Sequence, residues 1–214
     1  STVAGPEELP NDLDLVIEAV PEIPSLKVEV LALIDRTMSP STVIASNTSS
    51  ISIAELGAAL SDPSRFIGMH FFNPVPVSEL VEIVRAPETS PDIVAKVRAW
   101  VGMLGKSEVL VNDSPGFATS RLGVCLGLEA IRMLEEGVAD AESIDRAMEL
   151  GYKHPMGPLR STDLVGLDVR LAIAEHLAST LGDRFTPPQL LRNKVARGEL
   201  GRKSGNGFHD WEKK

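Results

Sequence analysis

Short apolar runs alternate with amphipathic stretches through the first half of the chain, and only the amphipathic kind continues through the second. Residues 14–20, DLVIEAV, form a nearly continuous apolar run, which suits a strand buried on both faces of a parallel sheet. Pro21 and Pro24 end it. Ser25 can cap the helix predicted over 26–38, where Leu26, Val30, Leu33, Ile34 and Met38 share one face. A second apolar strand is predicted over 42–45, stopped by the polar SNTSS of 46–50. A helix over 53–60, strands over 65–72 and 80–84, a helix over 91–104 and a fifth strand over 107–111 complete the alternation. Strands alternating with helices through short loops predict a doubly wound α/β sheet. After Asn112 no strand is predicted. Helices are expected from Pro115 to about Glu136, from Asp140 to Leu150, from Thr162 to Leu181, and from Pro187-Pro188 to about Arg197. Two domains follow, a Rossmann-like 1–112 and an all-helical 113–214.

The 214 residues suffice for such a pair with a sizeable core. A net charge of −9 disfavours nucleic acid as a partner, and an anionic ligand would need local positive groups. No apolar run is long enough to cross a membrane, and no signal peptide is visible. The single cysteine, Cys125, excludes an internal disulfide and suits a reducing, cytoplasmic setting. Its apolar surroundings predict an inert buried residue.

The chemistry concentrates in residues 69–82, MHFFNPVPVSELVE. His70 follows an apolar approach, an Asn-Pro break and two prolines follow it, and Glu82 lies in a second apolar run. If the prolines reverse the chain, the two side chains can meet. A histidine braced by a carboxylate is a common general base near neutral pH. Spacing alone favours an ion pair that only holds a turn together. SNTSS could equally be a helix-capping loop, with Ser50 or Ser52 as the cap. GxGxxG, GxxxxGK[ST], HExxH, GxSxG and CxxC are all absent.

IEAVPE, SNTSS, HFFNPVP, LVEIV, DSPGF, HPMGP, DLVGLD and GRKSGNGF occur in the order and approximate spacing of the L-3-hydroxyacyl-CoA dehydrogenase family, which the chain resembles from about residue 12 to 211, most nearly its short-chain, 3-hydroxybutyryl-CoA branch. The resemblance implies an NAD-binding Rossmann domain and a helical domain that forms a homodimer and closes the cleft over an acyl-CoA substrate. It implies that His70 takes the proton of the 3-hydroxyl, oriented by Glu82, and that Ser49 hydrogen-bonds the substrate oxygen. Asn47, Glu22, Lys27 and Lys203 match positions at the cofactor or the CoA nucleotide. Where the family pattern has an asparagine before the arginine of DTPGFIVNR, this chain has Ser120, which can donate one hydrogen bond but cannot bridge two partners. His154, His176, His209, Trp100 and Trp211 are expected to be packing or surface residues.

In the family the first strand, the glycine turn and the acidic ribose-binding residue all precede the region matched here. The expectation is therefore a Rossmann domain lacking its first strands, through truncation or with the edge covered by another chain. The run over 14–20 is then an exposed sheet edge, and the chain alone would oxidise its substrate weakly or not at all. Two further readings stay open: a non-catalytic structural or dimerisation module, and a dehydrogenase of another 3-hydroxy acid.

Overall fold

The computed structural model describes residues 2–212, which divide into two compact units that meet in sequence at Phe117 and Ala118. The first holds five strands: β1 (Leu15–Glu18), β2 (Val43–Ser46), β3 (Phe66–Phe71), β4 (Leu80–Arg85) and β5 (Ser107–Asn112). They lie in that order across one sheet. β1, β2 and β3 are parallel, β4 runs antiparallel to β3, and β5 is parallel to β4. The sheet is thus mixed, because residues 72–79 reverse the chain within a loop too short for a crossover helix.

Successive side chains of a strand point to opposite faces, so each strand feeds two cores. Ile44, Phe66 and Val84 pack with Leu31 and Ile34 of α1 (Pro24–Thr37) and with Ile53 and Leu56 of α2 (Ile53–Gly57). Val43, Ala45, Ile67, Met69, Val81 and Ile83 pack with Val94, Val97 and Val101 of α3 (Pro91–Met103). A β-carbon at Gly68 would stand 2.8 Å from both Ile53 and Val84. Glycine there lets α2 lie directly on β3.

β1 is an edge strand with Ile17 exposed, the exposed edge expected for the run over 14–20. Two details differ from the expected pattern. Pro24 rather than Ser25 opens α1, where a missing N–H has no consequence. Helix α2 closes at Gly57, short of Leu60.

The second unit is helical: α4 (Thr119–Glu135), α5 (Ala141–Gly151), α6 (Pro158–Val165), α7 (Leu167–Leu181) and α8 (Gln189–Ala196). Its core joins Val124, Leu128 and Ile131 of α4 to Ile144, Leu159, Leu167, Ala174, Leu177 and Leu191. The single helix expected over 162–181 is two, broken at Gly166, whose φ of 102° lies outside helical space. Helix α4 begins at Thr119 instead of near Pro115, because Gly116 and Phe117 take left-handed φ values of 72° and 51°. Cys125, expected to be buried, lies on the exposed side of α4. Among the described residues no helix is long and apolar enough to cross a membrane.

Candidate functional site

The antiparallel register of β3 and β4 sets His70 directly opposite Glu82. Nδ1 of His70 lies 3.0 Å from Oε2 of Glu82, with the two side chains 9% and 0% exposed. An ionised carboxylate can only accept. Nδ1 therefore carries the proton in the neutral ring, and Nε2 is left with its lone pair. The ring is flanked by Phe72 and Phe117, with centroids at 4.4 and 6.1 Å. Lys106 donates to the carbonyls of Val75 and Ser78 at 2.7 and 2.6 Å, tying down the loop between the two strands. That loop contains the cis Asn73-Pro74 peptide.

SNTSS follows β2 and lies beside the residues that follow β1. Asn47 Oδ1 accepts from the Phe71 N–H at 2.8 Å, which fixes Asn47 next to the end of the histidine strand. Glu22 acts as the clamp of this loop. Its Oε1 accepts from Thr48 Oγ1 at 2.6 Å and from the backbone N–H groups of Ser49 and Ser50 at 2.9 and 3.2 Å. Ser49 is thereby held in a half-buried position at the carboxyl end of β2. Ser52 caps α2, accepting from the Glu55 N–H, and donates to Asp113, which also accepts from Ala54 N–H.

Lys27 departs from the expected contact with a nucleotide. Its side chain is 0% exposed and its ammonium is committed to Glu18 at 2.9 Å, to Glu22 at 3.4 Å and to the Val20 carbonyl at 3.1 Å. Glu18 also accepts from Ser46 Oγ at 2.6 Å. Lys27 is an internal counter-ion because two carboxylates converge on it beneath the loop. Neither the Glu18–Ser46 bond nor the bonds of Asp113 to Ser52 and Ala54 were anticipated. A glutamate inside the apolar run of β1 is the signal that could have pointed to the first, since a buried carboxylate requires a partner.

Ser120 and Lys203 belong to the second unit. Ser120 lies half-buried in the first turn of α4. Lys203 Nζ donates to Asp168 Oδ2 at 2.6 Å, near the start of α7. Burial raises the Asp168 pKa, but the bonds from Lys203 and the Val169 backbone outweigh it and leave the carboxyl below its usual range. The C-terminal segment is fastened by two buried aspartates. Asp163 accepts from the Phe208 and His209 N–H groups and from Trp211 Nε1, and Asp145 lies 2.8 Å from His209 Nε2.

Polar loops at the strand ends thus stand beside a carboxylate-braced histidine, an arrangement suited to taking a proton from a bound substrate. Residues 1–114 match the family described as "3-hydroxyacyl-CoA dehydrogenase, NAD binding domain", and residues 116–211 match "3-hydroxyacyl-CoA dehydrogenase, C-terminal domain". The chain belongs to the 3-hydroxyacyl-CoA dehydrogenase family. It is 48% identical over 202 residues to a probable 3-hydroxybutyryl-CoA dehydrogenase of Bacillus subtilis, covering 94% of this chain and 70% of that protein. The crystal structure of (S)-3-hydroxybutyryl-CoA dehydrogenase PaaH1 from Ralstonia eutropha superposes with a TM-score of 0.93 at 45% identity, over 98% of this chain and 74% of that one. A diketoreductase acting on dicarbonyl compounds superposes with a TM-score of 0.80 at 28% identity, over 95% of this chain and 72% of its own.

NAD is the cofactor of this family. The chain's own residues fit its reactive end. The register aligns Glu18 of β1 with Ser46 of β2, so these two parallel carboxyl ends lie side by side, while β3 runs on past Gly68 to His70 and Phe71. Ligands of open α/β sheets bind at such an edge, and here it carries Asn47, Ser49 and the Glu22 clamp.

Proposed function

We propose that the chain catalyses oxidation of an L-3-hydroxyacyl-CoA of short acyl length to the 3-ketoacyl-CoA, with His70 as general base. The observation that carries this reading is the 3.0 Å contact between His70 Nδ1 and Glu82. NAD, when bound, supplies the hydride acceptor. The chain's residues do the rest. His70 Nε2 receives the 3-hydroxyl proton, the buried Glu82 carboxylate stabilises the imidazolium that forms, and Phe72 and Phe117 limit water at the ring. Ser49 donates to the substrate oxygen, and Asn47 lies at the contact of cofactor and substrate. Glu22 positions both through their shared loop, and Lys27 acts through Glu22. Ser120 contacts the substrate from the helical unit, and Lys203 serves the cofactor from the C-terminal segment. The helical unit pairs with a second copy, a reading supported by exposed Leu122, Leu150 and Tyr152. A cytoplasmic setting agrees with the acyl-CoA substrate.

The test is acetoacetyl-CoA-dependent NADH oxidation, measured on the chain alone and on the chain extended at its N-terminus by a glycine-turn segment of a relative. His70→Asn in the active form should lower kcat by about 10²–10⁴-fold. Equal rates for His70→Asn and the unmodified protein, or no turnover in either form, would sink the reading. The diketoreductase likeness favours one second reading, a dehydrogenase of another 3-hydroxy or dicarbonyl compound. It wins if a free dicarbonyl substrate turns over faster than acetoacetyl-CoA.

A further inference from the structure

The loop over residues 72–79 begins with Phe72, whose ring lies 4.4 Å from that of His70, yet packing does little to anchor the loop. Residues 73–77 are exposed, and the apolar side chains of Val75 and Val77 are 38% and 76% exposed. Pro74 and Pro76 bring no N–H. The loop's own bonds make a single turn, in which the Val77 and Ser78 N–H groups donate to the Pro74 carbonyl at 2.9 and 3.0 Å. Such a turn ends as a helix does, with carbonyls left over. A lysine can satisfy carbonyls in that position. Lys106 does so at Val75 and Ser78, at 2.7 and 2.6 Å. Bonds from a charged donor are about twice as strong as neutral ones. Lys106 is itself well placed to hold something. Its N–H donates to the Val101 carbonyl of α3 at 3.2 Å, and the Ser107 N–H that follows donates to Glu79 at 2.7 Å. The half-buried side chain thus reaches the loop from a backbone fixed between α3 and β5.

We propose that Lys106 is a positioning residue for proton transfer at His70, acting through the loop and Phe72. The inference rests on the reading of His70 as general base. Glu82 holds the imidazole at Nδ1, and a ring held by one bond can still rock about it. The faces of the ring need their own restraint, which Phe72 and Phe117 supply. Phe71 is the last residue of β3 paired with β4, so no ladder bond sets Phe72. Its place is set by the loop, and the loop is set by Lys106. Without the ammonium, the Val75 and Ser78 carbonyls turn to water, the loop moves out, and the imidazole loses both its restraint and its cover.

Two readings test the proposal. The first is kinetic, on the N-terminally extended protein with acetoacetyl-CoA and NADH. Lys106→Met should lower kcat by about 10- to 100-fold, the cost of a misplaced catalytic group. kcat/KM should fall by the same factor, because a displaced base is felt in the transition state and not in substrate binding. Lys106→Arg, which keeps a cation with donors for both carbonyls, should recover most of the rate. The second reading needs no turnover and uses the chain as it stands. The His70 imidazole C–H resonances, identified by their loss in His70→Asn, feel the Phe72 ring. Lys106→Met should move them toward their positions in Phe72→Leu, and Lys106→Arg should leave them in place. If Lys106→Met does not fold, Lys106→Gln replaces it with the same expectations. A variant that unfolds earlier but keeps its kcat and its His70 resonances would overturn the proposal, since Lys106 would then serve stability alone. A raised KM with unchanged kcat would also overturn it, and so would equal losses in Lys106→Met and Lys106→Arg. No turnover in the unmodified protein strikes the general-base reading instead, and the resonances still decide whether Lys106 holds Phe72 on the ring.

Discussion

Arg65 of the sheet unit and Arg170 of the helical unit are both 6% exposed, yet they are solved differently. Arg65 donates to Asp35 at 2.6 Å and to the carbonyls of Ser39, Thr42 and Asp35, so its charge is spent inside the fold. Each arginine leaves its Nε without a partner, so that feature alone does not separate them. The presence of a carboxylate does. Lys27 repeats the Arg65 solution with Glu18 and Glu22. Burial of a charge therefore carries no functional meaning until its partners are counted. A paired cation fastens elements together, and an unpaired one does not.

The largest effect that can break this contrast comes from removing the best-paired cation. Lys27→Met leaves Glu18 buried beside an apolar side chain and frees Glu22 from its anchor. Loss of one partner of a buried pair costs about 3–5 kcal/mol. Chemical denaturation should register that loss, and acetoacetyl-CoA kinetics should deteriorate with it because the SNTSS loop loses its clamp. Arg170→Met should leave stability unchanged or raised. If both variants lose stability alike, the distinction between paired and unpaired cations fails.

A smaller effect is expected at the other paired arginine and is read through pH. Burial raises the Asp35 pKa, but the Ser61 backbone N–H and Arg65 together outweigh it and set the carboxyl below 3.8. A depressed carboxylate contributes stability that is complete above its unfolded pKa and is lost as pH falls through its folded one. The Asp35 contribution should thus be present at pH 6 and vanish progressively below about pH 4. Asp35→Asn should cost about 1–3 kcal/mol at neutral pH and flatten the acid limb of the denaturation curve. An unchanged acid limb would mean that Asp35 carries none of it.

The elements were legible where one physical rule dominated. Apolar runs between proline and glycine breaks marked all five strands, and the His70–Glu82 meeting followed from a chain reversal at Asn73 to Pro76. What stayed hidden depended on tertiary partners. Nothing in the sequence tells a lysine bound for a nucleotide from one enclosed by Glu18 and Glu22. Cys125 sits in an apolar stretch yet faces outward, because α4 buries Val124 and Leu128 instead. The break at Gly166 was missed because one glycine inside a helical pattern is usually tolerated. Arg170 drew no attention because a charged residue on an amphipathic helix is ordinarily solvated, and only the bare surface of Gly123 and Gly127 makes it otherwise.

The smallest effect concerns Ser120, which sharpens the contrast by asking whether a residue expected to face a ligand does so. It lies in the first turn of α4, before Arg121, where the family pattern has an asparagine. A hydroxyl can donate a single hydrogen bond and reaches less far than an amide. If it keeps the substrate contact, Ser120→Ala should remove one neutral hydrogen bond, about 0.5–1.5 kcal/mol, or roughly a 2- to 13-fold drop in kcat/KM. Ser120→Asn should restore or exceed the original value, because the amide regains the second partner. A purely structural role would instead lower stability in Ser120→Ala while leaving kcat and KM unchanged. Acetoacetyl-CoA kinetics on both variants, with unfolding midpoints measured alongside, separate the two. Unchanged kinetics in Ser120→Ala would remove this residue from the site, and the contrast would then rest on the buried cations alone.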